Sequence, residues 1–150
     1  MGSHGEGVHA TAEHPPADFG ANRNARLFAA TRAAGALDPG SVRPVAGLWA
    51  EGDVLLPRYH GLSPLTGTQL DSLLRNEGVT TIVVAGVSLN LAIPNVVFDA
   101  VNRGYQVVVV TDAVAGTPPE YAAAVLRHTL ALVATQATTD ELVTAWTPSP

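Results

Sequence analysis

At 150 residues the chain is long enough to bury a sizeable core as one domain. It is 47% hydrophobic and 14% charged, and its formal net charge of -5 argues against a nucleic-acid backbone as the main partner. The eight basic residues are all arginine, and cysteine is absent, which excludes disulfides, thiolate metal ligands and a thiol nucleophile.

Met1 to Gly7 reads as an unstructured leader, and the expected single domain spans residues 8–147, with 148–150 as a frayed tail. Val8 to Glu13 alternates modestly and predicts a short strand, ended by His14-Pro15-Pro16. Asn22 or Asn24 can cap a helix over about Ala25 to Ala34, with Leu27, Phe28 and Thr31 on one side and Gly35 at its end. Asp53 to Leu56 predicts a second strand, stopped by Pro57, and residues 58–65 form an irregular loop. Thr66 or Thr68 can cap a helix carrying Leu70, Leu73 and Leu74 and ending at Gly78.

The chain is organised around Thr80 to Gly116. Ile82-Val83-Val84-Ala85 and Val107-Val108-Val109-Val110 are β-branched runs without polar alternation, as in strands covered on both faces. Between them Leu91, Val97, Phe98 and Val101 share a helical face, and Gly104 stands where a terminating glycine belongs. The resulting β-α-β unit places its working residues beyond the carboxyl end of the strand, at Gly86 to Ile93. Asp112 to Pro119 reads as a loop, and Pro118-Pro119-Glu120 opens an apolar helix over Tyr121 to Ala134. Ala137-Thr138 predicts an edge strand, and Asp140 caps a last helix with Leu142, Val143 and Trp146. Alternating strands and helices give an α/β three-layer domain with a mostly parallel sheet. Its weak first strand is unusual, since such sheets ordinarily begin with a strong central one. No apolar run reaches the ~18 residues of a membrane span. No secretory signal opens the chain, so a cytoplasmic location and no membrane partner are expected.

Gly86-Val87-Ser88-Leu89-Asn90-Leu91-Ala92, followed by Asp99-Ala100, Gly104-Tyr105 and Asp112-Ala113, resembles the isochorismatase-like, or cysteine hydrolase, family. Upstream, Ser63-Pro64-Leu65-Thr66-Gly67-Thr68-Gln69-Leu70-Asp71 resembles a second segment of that family, in the same order. The resemblance implies a Rossmann-like α/β/α fold and hydrolase lineage, with no cofactor. It also implies departures at each member of the usual triad. Ala92 stands at the nucleophile position, and Tyr59 stands at the lysine position beside Arg58. The resemblance leads one to expect that the family's aspartate-bearing first central strand is missing before Val8. Arginine orients an anion but stays protonated and does not replace lysine in proton transfer.

Around these positions, Asn90 is a candidate for holding a substrate amide or carbonyl, or for capping the next helix, and Ser88 lacks a neighbouring base. The backbone N–H groups of Leu91 to Ile93 stand at a helix start, suited to an anion or oxyanion. His60 is a loop candidate for general base. His9 and His14 fall near the metal ligands of nicotinamidase-like relatives, but the Asp-x-His pattern fails at Ala12 and Glu13, so no metal is expected. Asp99 and Asp112 read as structural.

Three readings follow. The first is a degenerate family member without the cysteine-nucleophile activity, binding a small molecule or serving as a subunit of an assembly. The alternative is an active hydrolase of a vinyl ether or other small carbonyl compound, working through Arg58, His60, Asn90 and backbone donors. The third is a chain whose missing strand comes from elsewhere. A homo-oligomer, or a partner chain covering the sheet, is expected because uncovered sheet exposes edges and an apolar face.

Overall fold

A computed structural model describes residues 7–13, 20, 22–35, 38, 40, 42–59 and 61–147. The leader to residue 6, the tail from residue 148, His14 and His60 lie outside them. The chain divides into two compact units, Met1–Thr68 and Gln69–Pro150.

In the first unit, β1 (Val8–Ala12) pairs in parallel with β2 (Val54–Arg58), His9 opposite Leu55 and Ala12 opposite Arg58. The expectation that Pro57 stops β2 is corrected, because the strand runs through it. Val54 N–H donates to the Gly7 carbonyl and the Arg58 carbonyl accepts from Glu13 N–H. Bonding to β1 therefore falls on the even positions, and the missing donor of Pro57 faces the outer edge. Between the strands, α1 (Arg26–Ala34) starts after Ala25 without a side-chain cap, since Asn22 accepts from Asn24 N–H instead. Gly35 ends it with φ 89°, as the sequence predicts.

The second unit holds α2 (Leu70–Asn76), β3 (Thr81–Val87), α3 (Ala92–Asn102), β4 (Gln106–Ala115), α4 (Pro119–His128), β5 (Thr135–Ala137) and α5 (Thr139–Trp146). Neither Thr66 nor Thr68 caps α2. Gln69 precedes it without a side-chain cap, and Thr68 Oγ1 donates to the Pro64 carbonyl. The sheet order is β3-β4-β5, all parallel. Val84 pairs with Val109 and Gly86 with Val114. Gly86 lies two residues past Val84 and Val114 five past Val109, so β4 carries three additional residues there.

Being central, β4 is the covered strand, with Val107, Val109 and Val110 buried. The edge position of β3 leaves Val83 36% and Val87 74% exposed, so burial on both faces does not extend to it. The buried stripe of α3 is Ile93, Val96, Val97 and Ala100, while Leu91 and Phe98 remain exposed. That stripe steps by three, one and three residues, as a helical face does. Pro94 is harmless in the first turn, where no intrahelical acceptor is waiting for its N–H. Gly104 follows the C-cap Arg103 with φ 87°, a left-handed conformation that glycine adopts without a Cβ penalty.

Later boundaries differ from the expected ones. β4 extends to Ala115, through the region expected as loop. Pro119 opens α4, which ends at His128, and Leu130–Leu132 forms a separate tight turn rather than continuing the helix to Ala134. Leu130 of that turn is fully buried. α5 is capped by Thr138, not Asp140. Thr138 Oγ1 accepts from Glu141 N–H and the Glu141 carboxylate accepts from Thr138 N–H, closing a capping box.

Candidate functional site

The connection from β3 to α3 is Ser88 to Leu91, and its Val87–Ser88 peptide is cis. Leu89, 1% exposed, anchors the turn, and its N–H donates to the Ala115 carbonyl at 2.7 Å. The Ser88 carbonyl accepts from Leu91 N–H at 3.3 Å and from Ile93 N–H at 3.0 Å. Two of the three donors expected to face a ligand therefore close the turn instead. Ala92 N–H stands outside those bonds. Ala92 is the first helical residue, so its N–H has no acceptor within α3 and lies at the positive end of the helix dipole.

Asn90 does not cap α3, because Leu91 holds the cap position and no side-chain cap bond forms. Its amide faces the loop after β4. Thr117 N–H donates to Asn90 Oδ1 at 2.9 Å, and Asn90 Nδ2 donates to the Thr117 carbonyl. Both ends of the amide are occupied, which leaves little capacity for a substrate. Gly116 permits this close approach, since a Cβ there would lie 2.9 Å from both Asn90 Oδ1 and Leu89 Cβ. Thr117 and Gly116 had no signal in the sequence, being 27 and 26 residues from Asn90 in an apparent loop.

In the first unit, Arg58 ends β2 and Nη1 donates to the carbonyls of Gly61 at 2.8 Å and Leu62 at 2.7 Å. Its Nε is buried and has no hydrogen-bond partner among the described residues. Burial pulls the Arg58 pKa below its ordinary value, yet arginine remains protonated at neutral pH. Tyr59 is 49% exposed. Ser63 is buried, and its Oγ accepts from Leu65 N–H at 3.1 Å. His9 Nε2 lies 2.8 Å from Asp53 Oδ2, and its ring stacks on Trp49 with centroids 5.4 Å apart. Asp53 also accepts from Ala50 N–H and Gly7 N–H. The Ala50 bond first, then His9, holds its pKa below the usual carboxylate value. Among the described residues, no three His, Cys, Asp or Glu side chains converge as a metal site would require.

Other motif residues are scaffold. Tyr105 Oη donates to Asp71 Oδ1 at 2.9 Å, joining the two sequence segments that carried the resemblance. This bond, before the arginines, lowers the Asp71 pKa, while burial and then Asp71 raise that of Tyr105. Arg75 stacks its guanidinium 5.1 Å from the Tyr105 ring centre, and Arg103 pairs with Asp99 on α3. Asp112 accepts from Thr139 N–H at 2.9 Å and from Thr139 Oγ1 at 3.0 Å, tying β4 to the start of α5. A surface hollow of about 440 Å³ lies at the amino ends of the strands, beside Val101, Gln106, Leu132 and Thr135. It is at the opposite end of the sheet from the Ser88–Ala92 turn, and the one phenol in it, Tyr105, is held by Asp71.

Comparison with known proteins agrees with this architecture. An isochorismatase family protein from Desulfovibrio vulgaris superposes with a TM-score of 0.76 and 30% identity, covering 92% of this chain and 73% of that one. The ureidoacrylate amidohydrolase RutB of Methylobacterium radiotolerans is 38% identical over 71 residues, 46% of this chain and 26% of its own. A probable inactive nicotinamidase of Arabidopsis thaliana is 46% identical over 59 residues, 39% of this chain and 30% of its own. The chain thus spans less than a third of the length of either curated relative. The fold is the isochorismatase-like α/β arrangement of mostly parallel strands with helices on both sides. With the isochorismatase domain model matched across residues 7–141, the chain belongs to the isochorismatase family.

Proposed function

We propose that the chain binds a small carbonyl-bearing molecule at the start of α3 and does not attack it covalently. The observation that carries this reading is the placement of Ala92. It follows the β3 turn directly and offers a backbone N–H to an acceptor but a methyl group where a nucleophile would stand. A methyl group forms no acyl intermediate. Asn90 and Ser88 support the same reading, because the Asn90 amide and the Ser88 carbonyl serve the turn itself. The resemblance to a probable inactive nicotinamidase points the same way for this stretch of chain.

The test is incubation with a panel of small amides and vinyl ethers, followed by product analysis and intact mass. Binding without turnover or adduct is the expected result, and turnover that survives rigorous repurification overturns it. Ala92→Cys, Tyr59→Lys and the double variant then ask whether restoring those two side chains restores covalent chemistry.

The likeness to an amidohydrolase favours a second reading, hydrolysis without cysteine, for which the sequence offers Arg58, His60 and Asn90 as separate candidates. That reading fails if turnover persists after Arg58, His60 and Asn90 are all replaced. We also infer self-association as part of the working form. The support is the β3 edge, which pairs with no second strand among the described residues and leaves Val83 and Val87 exposed. Sedimentation showing a monomer across a hundredfold concentration range would end this inference.

A further inference from the structure

We draw no further inference here: the strongest candidate, the open hollow of about 440 Å³ at the amino ends of β3, β4 and β5, is lined only by uncharged residues, Thr81, Gln106 and Thr135 among them, and nothing in the structure shows what covers it.

Discussion

Replacing Asn90 with alanine separates a positioning role from a chemical one. The substitution removes two hydrogen bonds, from Thr117 N–H to Oδ1 and from Nδ2 to the Thr117 carbonyl. A net contribution of about 0.5–1.5 kcal/mol per bond gives about 1–3 kcal/mol. Both bonds lie in exposed surroundings, where water takes over part of the work, so about 1–2 kcal/mol is the expected loss. For a chain of this size that lowers the melting temperature by about 2–8 °C. Urea denaturation measures the loss, and amide exchange at Thr117 should quicken because its N–H loses its acceptor. Asn90→Asp keeps the acceptor but sets a carboxylate against the Thr117 carbonyl. It should therefore approach wild-type stability more closely at acidic than at neutral pH, where a protonated carboxyl can donate. A loss under about 0.5 kcal/mol with unchanged exchange at Thr117 would refute the clamp. Abolished turnover of a substrate at unchanged stability would instead assign Asn90 to chemistry.

Gly116→Ala should destabilise the protein by about 1–3 kcal/mol in urea, because the new methyl group meets Leu89 Cβ and Asn90 Oδ1 at 2.9 Å. Leu130→Ala should cost about 2–5 kcal/mol, while Leu132→Ala, two residues on and 82% exposed, should stay within about 0.5 kcal/mol. Asp53 is held below its ordinary pKa of 3.8 in the fold, so its contribution is complete above that value and is lost as pH falls through the lower folded one. Asp53→Asn should accordingly flatten the acid side of a stability–pH curve, measured by denaturation in steps from about pH 5 to pH 2.

The elements of the second unit were legible because periodicity and punctuation agree there. Val107 to Val110 has no polar alternation and became the covered central strand, and Gly104 ends α3 where its backbone needs a positive φ. β3 carries a similar run, yet exposure on it differs, because edge or centre is decided by which strands pair and not by the strand's own residues. Caps were less legible. Asp140 and Thr138 are both suitable cap residues, and only the reciprocal bond with Glu141 separates them. Within the second unit, the sequence pointed to the Ser88–Ala92 turn as the connection from β3 to α3. It did not reveal that Ser88 O would take up two neighbouring donors, since the partners of a backbone carbonyl are invisible in a string of side chains. Nor did it reveal the Asn90–Thr117 pair, a contact between two loops fixed by the sheet beneath them.

The three additional residues of β4 act as slack in an otherwise taut ladder. At Val108 and Val109 the strand is held from both sides, by β3 and by β5; Val110 pairs with β5, and beyond the offset Val114 and Ala115 pair with β3. Asp112 sits within the slack and holds the first residue of α5. Changes of length there would fall on the attachment of α5 while the pairing of residues 81–84 with 106–109 stayed in step. The protein thus has a place where loops around its candidate site can be re-cut by evolution or by design without re-registering the sheet that supports them.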